Sequence, residues 1–336
     1  MLDRRAGALA LSILGASIGL APASVRSATP SPARAKTAAP VAPPTQTRND
    51  YANAKFTTPL SAGLKHFYTR DFKSAQQDFE AALGVVPDNT LAISFLNAAA
   101  AQNGDALTVL TNVEEDAVSG APRNYVNHVR LAFSYMFESL AGRDRTTDAR
   151  EELNAAVALE PTAAAAHVGL GILRFNERSA NRAKTELLAA LRSDTNNVLA
   201  REYLAQLYQT DLRDPQRGLS YVIDVPNLVP QYADISFHIG SLLHDLQQPQ
   251  PAIEYLNRGI ALDVDHVGEA GQHGYTLIAR IYIEQHRLND ATKALDAAVA
   301  ADTDAIYAKT LLEKIKSGGY DASPGPDATP RPLETK

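Results

Sequence analysis

The chain has 336 residues, of which 45% are hydrophobic, 21% charged and 7% aromatic, and its formal net charge is -6. That balance excludes a disordered or fibrous chain, and the 32 basic residues are scattered rather than gathered into stripes, so nucleic acid is not an expected partner. The absence of cysteine removes disulfides, thiolate metal sites, thiol nucleophiles and cysteine-linked lipid from consideration.

Arg4 and Arg5 precede an uncharged stretch from Ala6 to Val25, with Leu9, Leu11, Ile13, Leu14, Ile18 and Leu20 as its apolar body. A charged start, an apolar body and then Ala21-Pro22-Ala23 predict a signal peptide over 1–23, cleaved after Ala23. The rest of the chain is then expected outside the cytoplasm, periplasmic or secreted. The rival is an uncleaved anchor, but Pro22 ends the run short of the ~20 residues a spanning helix needs, so no membrane span is expected in the mature chain. Pro30, Pro32, Pro40, Pro43 and Pro44 among Ala, Ser and Thr predict a flexible linker over 24–52. Gly318, Gly319, Pro324, Gly325, Pro326, Pro330 and Pro332 predict a disordered tail over 318–336.

The middle, 53–317, is self-similar. Ala149, Ala183, Gly218, Ala252 and Ala291 recur at spacings of 34, 35, 34 and 39, and Leu153, Leu187, Val222, Leu256 and Leu295 stand four residues beyond them. Two further columns keep the same phase: Ala156, Ala190, Val225, Gly259 and Ala298, then Pro161, Thr195, Pro230, Val264 and Thr303. Gly63, Ala75, Phe79, Ala82 and Pro87 repeat the internal offsets earlier in the chain. Small residues at fixed places let two helices approach, and the large ones fill the space between neighbouring hairpins, so each unit buries its apolar face only in a stack.

In these columns the sequence resembles the tetratricopeptide repeat family, most clearly in Gly63-Leu64-Lys65-His66-Phe67-Tyr68 followed by Ala75, Phe79, Ala82 and Pro87-Asp88-Asn89. Leu170-Gly171 through Ala190 and Ile239-Gly240 through Gly259 match it too, and the resemblance covers about 56–317. It implies an all-α fold, a right-handed superhelical α-solenoid of about seven helix-turn-helix hairpins ending in a capping helix near 305–317.

Three departures carry shape. The unit over 90–118 lacks the columns, Pro226 should stop its helix near Asp224, and Val267–Gly271 accounts for the long spacing before Ala291.

No phosphate loop, dinucleotide fingerprint, nucleophile elbow or metal-binding helix is present, so no catalytic residue, metal or cofactor is expected. His238 and His244 are six residues apart and do not share a helix face. The resemblance implies that the first helix of each hairpin lines a concave groove. It places Phe175, Glu202, Tyr203, Gln206, Phe237, His238, Ser241, Asp245 and Arg280 there as partner-binding candidates, with Asn176, Gln209, His244, Thr276, Leu277 and Glu284 beside them. A polar face with aromatic anchors suits a protein or peptide partner. The leading expectation is a non-catalytic interaction scaffold in a periplasmic or envelope-associated assembly. The alternative is a small-ligand binder or enzyme accessory subunit with a pocket around Tyr203, Phe237, His238 and Arg280.

Overall fold

The computed structural model of the chain describes residues 49–302 and 305–320. The expected signal peptide with its cleavage site, most of the linker and most of the tail lie outside the described residues. Seven helical hairpins follow in order among the described residues. They are α1 (Ala54–Tyr68) with α2 (Phe72–Leu83), α3 (Thr90–Ala101) with α4 (Ala106–Gly120), α5 (Tyr125–Leu140) with α6 (Thr146–Leu159), and α7 (Ala164–Asn176) with α8 (Ala180–Ser193). Then come α9 (Val198–Thr210) with α10 (Pro215–Val222) and the short α11 (Val225–Leu228), α12 (Ala233–Asp245) with α13 (Pro249–Leu262), and α14 (Glu269–Glu284) with α15 (Leu288–Ala301). The last helix is α16 (Ile306–Lys316). The fold is an all-α solenoid, and none of the described helices is long and apolar enough to cross a membrane.

Local chemistry sets the helix ends. Asn53, Asn89, Asn124 and Asn197 each accept a backbone N–H from the first turn that follows, supplying a partner for an otherwise orphan donor. Between the two helices of every hairpin one residue takes the left-handed conformation: Arg70, Gly104, Gly142, Arg178, Arg213, Gln247 and His286. Only two of the seven are glycine. The strain at the other five is held by turn hydrogen bonds such as Asp71 N–H to His66 C=O (2.9 Å) and Arg287 N–H to Tyr282 C=O (2.8 Å).

The small-residue columns do what close approach requires. A Cβ at Gly171 would lie 2.7 Å from the Leu187 side chain, and the same crossing recurs at Gly63 on Phe79 and at Gly240 on Leu256. Leu187 and Leu256 are fully buried at these crossings. Leu187→Ala is expected to lower stability by about 2–5 kcal/mol, because a helix pair already in close contact cannot collapse into the cavity. Chemical denaturation measures it, and a loss below about 1 kcal/mol would mean the crossing is looser than the coordinates indicate.

Each departure from the repeat has a structural reason. Pro226 lies in the first turn of α11, where its missing N–H is harmless, and α10 stops at Val222. The extra residues form a loop and the first turn of α14, and the N–H groups of Val267 and Gly268 in the loop and of Gly271 in the helix all donate to the Asp263 carboxylate at 2.8–2.9 Å. At the other end, Gly318–Tyr320 folds back on α16 instead of leaving it as tail. Gly319 N–H bonds to Lys314 C=O (2.9 Å), and the Lys314 ammonium sits over the Tyr320 ring. Residues 50–52, expected in the linker, form one turn of 3-10 helix.

The divergent second hairpin changes the whole arrangement. Every residue of α3 from Thr90 to Ala100 is buried, as suits a helix with no charged residue and only Thr90, Ser94 and Asn97 as a polar stripe. Besides its chain neighbours α2 and α4, α3 packs on α5 and reaches α9. Ser134 of α5 donates to Asn97 (2.9 Å), Thr90 donates to Asn197 ahead of α9 (3.1 Å), and the Phe95 ring meets Tyr232 ahead of α12 edge-on. The turn after α1 touches the sixth hairpin directly. Tyr68 Oη donates to Asp234 (3.1 Å), its carbonyl accepts from Asp265 N–H (3.0 Å), and Arg70 Nε donates to the Asp265 carbonyl (3.3 Å). A stack in which hairpins touch only their neighbours is therefore the wrong picture. The first hairpin and α3 close back onto the fifth and sixth, so removing residues 1–118 would strip a surface from α9 and α12 as well as from α5.

Candidate functional site

The residues expected to line the groove do fall on the first helices of successive hairpins, but most of them are not exposed. Phe175, Glu202, Tyr203, Gln206, Phe237, His238 and Ser241 are all buried. Asp245 is exposed and Arg280 half-exposed. An open groove lined by all nine is corrected by packing between neighbouring hairpins: Tyr203 lies on Phe175, Phe237 on His273, and Glu202, His238 and Glu269 on one another.

At its centre is a chain of hydrogen-bonding groups drawn from four segments. Tyr232 Oη donates to Glu202 Oε2 (2.6 Å). Glu202 Oε1 lies 2.7 Å from His238 Nδ1, a close ion-pair contact, while His238 Nε2 pairs with Glu269 Oε2, also at 2.7 Å. Burial alone would lower the imidazole's pKa, but the two flanking carboxylates overcome it and hold the group well above its ordinary value. Glu269 responds in kind: burial pushes it up, His238 pulls it down, and the net effect is a lowered pKa. His238 thus works as a buried cation between two anions rather than as a metal ligand.

Beside it stands a second cluster. The Asp234 carboxylate accepts from Tyr68 Oη and from Ala270 N–H (3.1 Å), so it caps α14 from another hairpin. Gly268 makes room for it, since a Cβ there would lie 2.4 Å from Asp234 Oδ1. Burial, with Asp263 and Glu269 nearby, pushes Asp234 up to about 8. Burial likewise pushes Asp263 up to about 6, against the three N–H groups that it accepts and the Arg70 charge. The Tyr68 phenol is pushed well above its ordinary range by burial and by the Asp234 and Asp263 charges.

The aromatic candidates are part of the packing. Tyr203 meets Phe175 edge-on at 5.5 Å, and Phe237 lies against His238 and His273. A small-ligand pocket bounded by Tyr203, Phe237 and His238 is thereby corrected, because these side chains are buried against neighbours. A recess of about 160 Å³ lies elsewhere, between the α3–α4 turn and the end of α5, lined by Leu107, Thr108, Phe137, Glu138 and Arg143 among others.

What solvent reaches is the edge of the inner face. Gln209 donates to Ser241 Oγ (2.9 Å) and Asp245 Oδ2 (2.7 Å), and His244 Nε2 pairs with Glu284 (2.8 Å). Arg280 makes no ion pair with any described residue and is within the same rim. Sequence reasoning found this rim through the repeat phase. It missed Tyr68, Arg70 and Asp234, whose role depends on contacts across 166 or more positions that a local pattern does not encode, and Asp263, which holds the loop just after it.

Comparison with known proteins agrees with the geometry. A family model for the tetratricopeptide repeat matches residues 233–266, the hairpin of α12 and α13 with the loop that follows. No curated protein matches the chain. Among solved structures, human IFIT1, a dimer with PPP-AAAA, is 15% identical with a TM-score of 0.53, over 75% of this chain and 62% of that one. Pseudomonas aeruginosa PilF is 16% identical with a TM-score of 0.50, over 69% of this chain and 99% of that one. At such identities the likeness speaks for the fold.

Proposed function

We propose that this tetratricopeptide repeat protein is a non-catalytic scaffold that holds a protein or peptide partner, in an assembly outside the cytoplasm. The observation that carries the reading is the inner face itself. Among the described residues its buried titratable groups Glu202, His238, Glu269 and Asp234 are engaged with one another or with neighbouring donors, while its rim offers spaced polar and charged side chains. Such a surface suits a macromolecule that bridges several hairpins. Export is supported by the order of Arg4-Arg5, the apolar body and Ala21-Pro22-Ala23. N-terminal sequencing of chain recovered outside the cytoplasm is expected to begin at Ser24, and recovery of an intact Met1 from the cytoplasm alone would remove the export part of the proposal.

The partner part is tested by placing a photo-cross-linking residue at Asp245, at Arg280 or at the exposed Arg182 of α8, in the native cell. The expected result is one shared partner from the two rim positions, reduced roughly tenfold by Asp245→Lys or Arg280→Glu in the companion position, as for charged groups at an interface. Equal capture at Arg182, or indifference to both charge reversals, would place the interface elsewhere.

A further inference from the structure

The contact between the first hairpin and the sixth joins elements far apart in sequence, and its chemistry differs from that of the rest of the stack. Ordinary crossings are made by alanine, glycine and leucine. This seam is mostly polar: Tyr68 on Asp234, Arg70 and the Tyr68 carbonyl on Asp265, and Thr90 on Asn197, with Phe95 against Tyr232 as its apolar element. Polar contacts of this kind resemble those between domains that move. The side it covers is acidic, with Asp234, Asp263 and Glu269 together and His238 as the compensating cation.

We propose that the turn Tyr68-Thr69-Arg70 is an internal occupant of a peptide-binding seat formed by Asp234, Asp263 and the backbone of Asp265, and that a partner segment carrying a phenol and a guanidinium two residues apart takes its place when the seam opens. This deepens the scaffold reading and rests on it for the identity of the occupant. The seat's logic is visible in its present contacts. A carboxyl oxygen of Asp234 receives the phenol, the Asp265 backbone N–H meets the carbonyl of the turn in the manner of an added peptide, and the Asp265 C=O receives the guanidinium. Being tethered, the internal turn acts at a high effective concentration, so a free segment competes only after the seam is weakened. On opening, α3 moves with the first hairpin, to which the Phe95 ring is bound through Phe67 and Phe79, and the neighbouring inner face is uncovered.

The test needs no identified partner. The full chain carrying Tyr68→Phe, Arg70→Ala and Thr90→Val removes three polar contacts without emptying the core. A second form, Arg70→Cys with Asp265→Cys, is closed by a short bis-maleimide, which no native thiol can intercept. Hydrogen exchange over residues 54–101, read against 164–193 in the same molecule, is expected to quicken roughly tenfold or more in the triple variant and not in the cross-linked form. A labelled synthetic peptide of residues 62–75 is expected to bind the triple variant, but neither the wild type nor the cross-linked form at the same concentration. The peptide with phenylalanine and alanine in place of the tyrosine and arginine should not bind. Unchanged exchange in the triple variant would show that the seam is simply core. Failure of the peptide to bind an opened chain, equal binding to all three forms, or equal binding of the substituted peptide would refute the seat. Loss of rim cross-linking at Asp245 and Arg280 would instead fall on the scaffold reading and leave these outcomes intact.

Discussion

Phe95→Ala is expected to be the most damaging single change in the chain, lowering stability by about 3–5 kcal/mol. Phe95 is fully buried and meets four other rings, Phe67 at 5.0 Å, Tyr232 at 5.5 Å, Phe79 at 5.7 Å and Tyr68 at 6.1 Å, three of them edge-on. Such pairs add to burial by about 0.5–1.5 kcal/mol each. Three of these rings belong to the first hairpin and the fourth precedes α12, so the alanine variant leaves a cavity at the aromatic part of the seam between the early hairpins and the sixth. The comparison is with Leu187→Ala. Both changes empty core, but only Phe95→Ala should also speed exchange at Asp234 and Ala270 in the sixth and seventh hairpins. Denaturation with a loss under about 1.5 kcal/mol, or a seam unaffected in exchange, would remove Phe95 as the junction.

The second large effect is a fall in stability as pH rises from about 6 to about 9. Asp234 has an ordinary pKa of 3.8 and titrates at about 8 in the folded chain. The unfolded chain loses this proton near 3.8 while the folded chain keeps it to about 8, so stability is lost as pH climbs between those values, and the upper part of that loss falls in this window. Asp263, raised to about 6, acts in the same sense over a lower range. His238, raised well above 6.5, contributes stability that is complete below 6.5 and disappears as pH rises through its folded value, again the same sense. Glu269 opposes them only on the acid side, since its lowered pKa gives stability above 4.5 that is lost as pH falls. Thermal unfolding across this range measures the slope. Asp234→Asn can keep its oxygen as the acceptor for Ala270 N–H and turn its amide N–H toward the Tyr68 oxygen, and it has no proton to lose, so its profile should be visibly flatter. A profile parallel to the wild type would take the effect away from Asp234.

Much of the fold is legible in sequence because a repeat writes the same physical requirement several times. Gly171 over Leu187 and Gly240 over Leu256 are one crossing seen twice, and the columns give helix faces directly. The hairpin turns were harder to read, since five of the seven left-handed positions hold arginine, glutamine or histidine, where turn hydrogen bonds rather than residue type decide the conformation. The closure of the inner face left one trace that the repeat columns pass over. The run Thr90–Ala101 carries no charged residue and only Thr90, Ser94 and Asn97 as a narrow polar stripe, so a helix there suits burial on nearly every side. What buries it could not be read from sequence, because Asn197 and Tyr232 lie more than 100 residues on. The same holds for the candidate site. Glu202, Phe237 and His238 were placed on the inner side of the right helices, but their accessibility depends on a segment that belongs to another hairpin.

The central claim, that the first hairpin closes onto the sixth at Asp234 and Asp265, is tested most directly by one distance. Spin labels on Arg70→Cys and Asp265→Cys, in a chain with no other cysteine, should give by pulsed electron resonance a single narrow distribution at the short limit of the method at pH 6. A broad distribution, or a long distance such as an open solenoid would place between its first and sixth hairpins, would contradict the account.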